Sequence, residues 1–545
     1  MHDLEHILAE IKDNIAKKDA IKARLVLDYL PQASVPARIQ AIAAFHAAPA
    51  DFAVPLLARY MTEHPDCAET LAQAREVLAV KILAMPALVS QALHNANTPF
   101  RGIYIAMAGE LKLEAIVPDL IEAILATTDV EEIRQLIDVL GEIGDPEATN
   151  TLSDFLYSGN RTLTIAAIRA LGKMGTPTAM LRLAERMGSD NQLDALILNI
   201  FSQVQDAVAL DKLNESMRSH YAHLRTHAKK VLVNIGAKAV PVLTQNLLFD
   251  DPDLQIHTLN VLGDIGDAAA IGPIRKLLHT QPRNANVRFA AYEALGLLPL
   301  EKGAYVLTQG LSDPVEHVCI AAAKAIDANF NEILAGGIKN LAHERDEDAH
   351  RIIKTVINAQ AKHIFMSLVF DPPYQDIALL YLDKAHQDIR DFFYAALKEK
   401  GHTELALRLL APQEKAAQET KPQRRKICAV DDSRMILNIY KSTLHELGYE
   451  PVLFEFPASA LEWLHTEKPE IVLTDLNMPD ITGIELTRGI RKLYSKEQLP
   501  VIMITTQNEK NDNQAAFEAG VTDIMHKPFT ADTLRVMINR HIAAS

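Results

Sequence analysis

The chain has 545 residues and a mass of 60.2 kDa, which exceeds what one hydrophobic core organises and indicates several domains or a repeat array. Hydrophobic residues make up 48% and charged residues 23%, so the composition is that of a globular protein and excludes wholesale disorder. The formal net charge of −15 disfavours broad binding to nucleic acid, which depends on clustered cations.

The cysteine content and the N-terminal segment bear on the cellular compartment. Cys67, Cys319 and Cys428 are widely separated and match neither a disulfide framework nor a zinc-ligand spacing. The first residues lack a basic region followed by an apolar stretch, and no uninterrupted apolar run approaches the ~18 residues of a membrane helix. We therefore expect a cytoplasmic protein without a membrane span.

A short pattern recurs through the middle of the chain. The segment Val139–Pro146 reads VLGEIGDP, and similar segments begin at Ala170, Val231 and Val261, with weaker copies between and after them. Their central apolar residues are Leu140, Leu171, Phe201, Leu232, Leu262, Leu295, Ile326 and Ile357. These eight positions, which we call the anchors, are spaced by 30 to 33 residues, and this regularity indicates a repeat array.

Each unit of the pattern predicts a pair of helices. Gly144 and Gly175 suit the left-handed residue that ends a helix, and Asp145 can cap the free amides of the next helix. Small apolar residues precede most anchors, which would allow paired helices to approach closely. Because neither helix can bury its apolar stripe alone, neighbouring pairs must stack into a solenoid.

The repeat resembles the short bacterial form of the HEAT family, and the resemblance covers residues 108–365. We interpret 1–107 as degenerate or capping repeats and 366–410 as a helical C-terminal cap. The resemblance implies an all-α solenoid that binds another protein. Some HEAT-like proteins are bilin lyases or DNA glycosylases, but no signature of either active site occurs in this sequence.

Residues 411–425 contain few apolar side chains and are interpreted as a linker, either a hinge or a weakly helical spacer, after which the pattern changes. Apolar runs predict strands at 427–430, 452–456, 471–474, 501–504 and 521–525. Helices are predicted at 433–447, 458–467, 483–494, 511–519 and 531–542. Buried strands that alternate with helices indicate a doubly wound α/β domain with a parallel sheet.

Polar side chains follow the predicted strands at their carboxyl ends. Asp431 and Asp432 follow the first strand, Asp475 follows the third, Thr505 ends the fourth, and Lys527 follows the fifth. Ligands of open α/β sheets bind at this edge. Two unit charges ~4 Å apart repel by about 4 kcal/mol at an effective dielectric of 20, so three carboxylates there require a cation or a raised pKa. A hard divalent ion with oxygen ligands, Mg²⁺ above all, meets that requirement.

These residues resemble the receiver domain of two-component response regulators, a flavodoxin-like fold with five parallel strands, over residues 426–545. The motifs that carry the resemblance are Asp431–Ser433 (DDS), Asp475–Gly483 (DLNMPDITG), Pro500–Thr505 (PVIMIT) and Lys527–Phe529 (KPF). The resemblance implies that Asp475 is the phosphoacceptor. It also implies that Asp431, Asp432, Asp475 and the backbone carbonyl of Asn477 hold Mg²⁺, with Asp431 acting through water.

The resemblance assigns further roles at the same edge of the sheet. It implies that Thr505 and Lys527 bind the phosphoryl oxygens and that Asn477 and Gln507 tune dephosphorylation. The family usually has an aromatic switch residue three positions before the lysine, where this chain has Ile524. We therefore expect a helix or interdomain rearrangement to carry the signal in place of an aromatic side chain.

Together these features predict a response regulator of a two-component phosphorelay with a protein-binding HEAT output in place of a DNA-binding domain. The expected partners are a histidine kinase or phosphotransfer protein and a protein bound by the solenoid, with Mg²⁺ as cofactor. We expect no enzyme activity apart from self-dephosphorylation of the phosphoacceptor. Two alternatives stay open: the repeats are an enzyme that the receiver regulates, or the receiver is a static docking module.

Overall fold

The structure is a computed structural model in which two compact units, residues 1–212 and 213–545, are distinguished by their internal packing. It describes residues 2–95, 98–188, 190–219, 221–300, 305–341, 347–385, 387–410, 425–476, 478, 481–505, 510–526, 529 and 531–542. The predicted linker at 411–425 lies outside the described residues except for Arg425. The predicted boundaries at 107, 365 and 410 stay predictions.

The first unit is built from helices joined by short turns, several of them 3-10 turns. Its helices are α1 (His2–Lys17), α2 (Ala20–Tyr29), α3 (Val35–Ala43), α4 (Ala50–Glu63), α5 (Ala68–Ala84), α6 (Ala87–His94), α7 (Arg101–Glu110), α8 (Val117–Ala126), α9 (Val130–Ile143), α10 (Thr149–Asp154), α11 (Arg161–Met174), α12 (Pro177–Arg186) and α13 (Asn191–Val204), and α14 (Ala207–Ser216) crosses into the second unit.

The second unit is helical in its first part and ends in an α/β domain. Its array helices are α15 (Ala222–Ile235), α16 (Val240–Asn246), α17 (Pro252–Ile265), α18 (Ile271–His279), α19 (Ala285–Leu297), α20 (Tyr305–Gly310), α21 (Glu316–Ala328), α22 (Glu332–Leu341), α23 (Glu347–Asn358), α24 (Lys362–Leu368), α25 (Pro372–Lys384), α26 (Gln387–Glu399) and α27 (Thr403–Leu410). The α/β domain consists of β1 (Lys426–Val430), α28 (Arg434–Glu446), β2 (Glu450–Phe454), α29 (Pro457–Leu464), β3 (Ile471–Thr474), α30 (Gly483–Arg491), β4 (Val501–Thr505), α31 (Lys510–Glu518), β5 (Asp523–His526) and α32 (Ala531–His541).

The predicted repeat period is confirmed by burial. All eight anchors are at most 1% exposed, and they lie on consecutive odd-numbered helices from α9 to α23. The same helix of every pair therefore buries the same apolar position. Within each unit the odd-numbered helices pack on one another, as the spacing predicts.

The ends of the helices confirm the predicted caps and add one variation. Gly144 ends α9 with a φ of 78°, and the Asp145 carboxylate then accepts a hydrogen bond from the Glu147 amide at 2.9 Å. In two other repeats the left-handed position is occupied by Gln205 (φ 49°) and Gln360 (φ 54°). A side chain in this conformation costs about 1–2 kcal/mol relative to glycine, so glutamine at this position makes the end of the helix less stable than glycine would.

The helices α9 and α11 approach each other most closely at a glycine. A Cβ atom on Gly141 would lie 2.6 Å from both the Cα and the Cβ of Ala170, well inside van der Waals contact. Small residues beside the anchors therefore form both sides of this contact: Gly141 on α9 and Ala170 on α11. A larger residue at either position must push the two helices apart.

We predict that Gly141→Ala destabilises the protein by about 1–3 kcal/mol, because the added methyl group overpacks the α9–α11 contact. The matched control is Gly272→Ala in α18, where a Cβ would meet no atom within 4 Å. That change should stabilise its helix by about 0.5–1 kcal/mol, since alanine is the better helix former. Urea denaturation followed by circular dichroism measures both, and equal midpoints for the two variants would contradict the packing described.

The sheet of the α/β domain has the strand order β2-β1-β3-β4-β5, and all four strand pairs are parallel. The predicted fold class, a five-stranded doubly wound domain, is confirmed. The chain runs from β1 outward to β2 and then returns to the other side of β1 to form β3. The carboxyl ends of β1 and β3 therefore lie side by side at the point where the strand order reverses, which is where such sheets bind ligands.

One helical segment among the described residues, Leu224–Leu248, is long and apolar enough to span a membrane. The helices α5 and α6 pass the same test only when they are counted as one span, and they are bent by 95°. Core helices of soluble proteins also satisfy these criteria of length and composition. The finding is therefore weak evidence for a membrane span.

Candidate functional site

The pairing of β1 with β3 brings the predicted acidic residues together. Val430 at the end of β1 is in register with Thr474 at the end of β3, and the Asp475 amide donates a hydrogen bond to the Val430 carbonyl at 3.0 Å. Asp431 and Asp475 thus leave the sheet from adjacent strands at the same level.

Three carboxylates converge at this edge. Oxygen atoms of Asp431, Asp432 and Asp475 all lie within 4.8 Å of one another. Asp431 is 1% exposed, whereas the other two are partly buried. Charges about 5 Å apart repel by about 3 kcal/mol at an effective dielectric of 20, so the cluster needs positive charge. Its all-oxygen donor set fits a hard divalent cation such as Mg²⁺.

The loop that follows β1 is fixed by its own hydrogen bonds. The Asp431 carboxylate accepts a bond from the Ser433 amide at 2.9 Å, and the Asp431 amide donates to the Phe454 carbonyl of β2. The Ser433 hydroxyl then caps α28 by accepting from the Ile436 amide. This short turn holds Asp431 beneath the site and leaves Asp432 at its entrance.

A glycine that the sequence reasoning did not single out supports Asp475. A Cβ atom on Gly483 would lie 2.1 Å from the Asp475 carbonyl oxygen, and the Gly483 amide donates to the Leu476 carbonyl at 2.9 Å. Thr482 caps α30 in a reciprocal pair with Glu485. The signal in the sequence is a glycine at the first position of a helix, where ordinary helix geometry does not require one.

The remaining predicted residues are placed as follows. Thr505 ends β4 with 1% exposure, on the strand next to β3. Asn477, Gln507 and Lys527 lie outside the described residues, so their predicted roles stay predictions. Ile524 packs partly buried against an apolar cluster formed by Leu476, Met503, Ala516 and Val521. Its position is therefore a packing site between β5 and its neighbours.

Two cations of the helical array lie within electrostatic reach of the carboxylate cluster, and no local sequence pattern indicated them. Arg225 and Lys229 lie on α15 and are partly buried. Burial lowers the pKa of Lys229, and the negative charges of Asp432, Asp431 and Asp475 partly offset this effect. Burial also lowers the pKa of Arg225 against the opposing influence of Asp432 and Asp475.

A second acidic group in the described residues is Asp28, Glu63 and His64. Arg59 pairs with both of its carboxylates, at 2.7 Å from Asp28 and 2.5 Å from Glu63. Because this guanidinium already supplies the counter-charge, the group is a surface ion-pair network.

Comparison with known families assigns the two parts of the chain. The model of the response regulator receiver domain matches residues 427–539, and the model of HEAT repeats matches residues 117–200 and 240–327.

Known receiver proteins align with the C-terminal domain alone. Chemotaxis protein CheY1 of Helicobacter pylori is 38% identical over 112 residues, which are 20% of this chain and 90% of that protein. Chemotaxis protein CheY of Pseudomonas aeruginosa is 35% identical over 116 residues, 21% of this chain and 94% of that protein. The solved structure of chemotaxis response regulator CheY4 of Vibrio cholerae is 30% identical, covers 22% of this chain and 98% of its own, and gives a TM-score of 0.21 over the much longer chain.

The fold, the acidic edge and these matches define a two-component signalling protein. The chain belongs to the response regulator receiver family through its C-terminal domain, and it carries HEAT repeats in its N-terminal part. The predicted membership of both families is confirmed.

We predict that Gly483→Ala weakens Mg²⁺ binding at least about tenfold, because the methyl group must displace the backbone of Asp475 and such sites tolerate errors of only about 0.5 Å. Calorimetric titration of the full chain measures the affinity. The control is Gly489→Ala in the same helix, where the Cβ would meet only the flexible end of Leu461 at 2.9 Å. Equal affinities for the two folded variants would show that Gly483 does not position the site.

Proposed function

We propose that this protein is a phosphorelay response regulator whose phosphoacceptor is Asp475 and whose output is the HEAT array. The convergence of Asp431, Asp432 and Asp475 within 4.8 Å carries the proposal. A carboxylate that must act as a nucleophile needs an accessible oxygen, which excludes the buried Asp431; of the two partly buried members, Asp475 lies at the end of the central strand β3.

The proposed reaction is transfer of a phosphoryl group from a phosphohistidine of a kinase or phosphotransfer protein. A carboxylate oxygen of Asp475 forms the new P–O bond as the P–N bond breaks, and the imidazole nitrogen leaves with the electron pair. Such a transfer depends on positioning and on neutralising the charge of the phosphoryl oxygens. Asp475 is positioned by the hydrogen bond that its amide donates to the Val430 carbonyl and by the close approach of Gly483.

Mg²⁺ would be held by Asp431, Asp432, Asp475 and the Asn477 carbonyl, and it would supply positive charge beside the phosphoryl oxygens. The buried Asp431 lies deepest and would act through water. The Thr505 hydroxyl and the Lys527 ammonium would bind the remaining phosphoryl oxygens, and Asn477 and Gln507 would tune hydrolysis of the acyl phosphate.

The signal would leave the receiver without an aromatic switch. Ile524 is held in an apolar cluster and has no hydroxyl to respond to Thr505. We therefore propose that phosphorylation changes how the receiver docks on the array and thereby exposes a face that binds a partner protein. Repeat arrays provide long surfaces of this kind. The cysteines of the described residues are free thiols, in keeping with our proposal of a cytoplasmic location.

We predict that the full chain takes up one phosphoryl group from acetyl phosphate in the presence of Mg²⁺ and that Asp475→Asn abolishes this labelling. The amide lacks the anionic oxygen that attacks phosphorus. The control is Glu470→Gln, which removes an exposed carboxylate at the other end of β3 and should label normally. Intact-protein mass spectrometry measures the product, and labelling of Asp475→Asn at the wild-type level would refute the assignment.

The proposed output predicts a change in shape on activation. Small-angle scattering of the full chain should change when beryllofluoride, a phosphoryl mimic, is added with Mg²⁺. Asp475→Asn should show no change under the same conditions. Identical wild-type profiles with and without the mimic would instead favour a static docking module.

A further inference from the structure

One large cavity lies between the helical array and the receiver within the unit 213–545. It has a volume of about 1670 Å³, and its array side is formed mainly by the odd-numbered helices α15 to α23 and the turns beside them, together with Ala385 and Ile389. Its receiver side is formed by the β1–α28 loop, by α28 and by Phe529. The receiver thus faces the same series of helices that carries the repeat anchors.

The carboxylate cluster opens onto this cavity opposite a fixed lysine. Asp432 and Ser433 line the cavity together with Lys229 and His257. The Lys229 Nζ lies 3.0 Å from the His257 Nδ1. Because an ammonium can only donate, Nδ1 accepts this hydrogen bond when Lys229 is charged. The contact anchors the end of the lysine at the wall of the cavity.

Arg225 stands one helical turn before Lys229, and residues four apart share one face of a helix. Its Nη1 donates a hydrogen bond to the Ser219 carbonyl at 2.7 Å, which orients the guanidinium. The charges of Asp432 and Asp475 act on both cations. Lys229 therefore lines the same cavity as Asp432, and Arg225, one turn away, lies within electrostatic reach of the same carboxylates.

Another charge pair across the same cavity is repulsive. Lys324 of α21 and Lys441 of α28 both line it, and the charge of Lys441 acts on Lys324. Contact between the two domains therefore places like charges near each other at this point. Glu293 of α19 also lines the cavity and acts on Lys324 more strongly than Lys441 does, so this repulsion is partly offset within the array itself.

We propose that Arg225 and Lys229 are the counter-charges of the receiver's carboxylate cluster when the receiver is docked, so that docking and loading of the divalent ion compete. The inference rests on the proposed function, which makes this cluster the site of Mg²⁺ and of phosphorylation. Two monovalent cations and one divalent cation supply the same charge. Once either set neutralises the cluster, the other stabilises it less.

The competition acts in both directions. If docking lowers the affinity for Mg²⁺ by some factor, then Mg²⁺ weakens docking by the same factor, because the two equilibria are linked. The array thus restrains the receiver until the divalent ion and an incoming phosphoryl group bind at the carboxylate cluster. The two cations of α15 thereby control the rate at which Asp475 is phosphorylated by its phosphodonor.

The test uses the full chain with the double substitution Arg225→Gln and Lys229→Gln. Calorimetry should show Mg²⁺ bound at least about tenfold more tightly than by the wild type, which corresponds to about 1.4 kcal/mol. Labelling by acetyl phosphate at a subsaturating Mg²⁺ concentration should be faster to a similar extent. Circular dichroism establishes that the variant is folded.

Two controls isolate the charges at these positions. Lys276→Gln removes an exposed cation of α18 that does not line this cavity, and it should leave the Mg²⁺ affinity within about twofold of the wild type. The exchange Arg225→Lys with Lys229→Arg keeps both charges and should retain the weak wild-type affinity even if packing changes.

The outcomes separate this inference from the proposed function. Equal Mg²⁺ affinities for the wild type and the double-glutamine variant, with normal labelling of both, would overturn the inference and leave the phosphoacceptor assignment standing. Weaker binding or slower labelling by that variant would also overturn it, because the cations would then assist the reaction. Absence of both Mg²⁺ binding and labelling in every variant would overturn the two proposals together.

Discussion

Mutual repulsion of three carboxylates at one edge of a parallel sheet is the constraint around which the receiver domain is organised. The strand order places β1 beside β3, and the register of these strands holds Asp431 and Asp475 close together. The turn at Ser433 and the close approach of Gly483 hold the acids in place. A site of this kind is stable only when positive charge is supplied to it.

The helical array meets a different requirement, which is burial of apolar stripes by repeated stacking. Each of the eight repeats buries its anchor at the same position, and the close contact at Gly141 shows how tightly neighbouring helices pack. The array also supplies Arg225 and Lys229 to the edge of the receiver. In the proposed docked state, opposite charges therefore help to hold the two parts of the chain together.

Local patterns in the sequence predicted most of the architecture. The anchors followed from a spacing of 30 to 33 residues, and the five strands followed from apolar runs. The strand β2 begins at Glu450, two residues before its apolar run, because this edge strand pairs with β1 through residues that need not be buried. The strand β5 begins at Asp523, after its predicted start at Val521, since Val521 is buried in the turn that precedes it.

The acidic cluster was predictable because all three residues follow strands, whereas its supporting contacts were not. Gly483 matters through a steric contact with Asp475 that exists only once β3 and α30 have packed. Arg225 and Lys229 are distant in sequence from the receiver, and a cation on a helix is usually a solvated residue. Long-range contacts of this kind leave no local pattern.

The most direct test of the central claim is a crystal of the full chain soaked in Mn²⁺, a divalent substitute with a strong anomalous signal. The account predicts one anomalous peak among the oxygens of Asp431, Asp432 and Asp475, and loss of that peak in Asp475→Asn. A peak at Asp28, Glu63 and His64 alone, or none at the receiver, would contradict it.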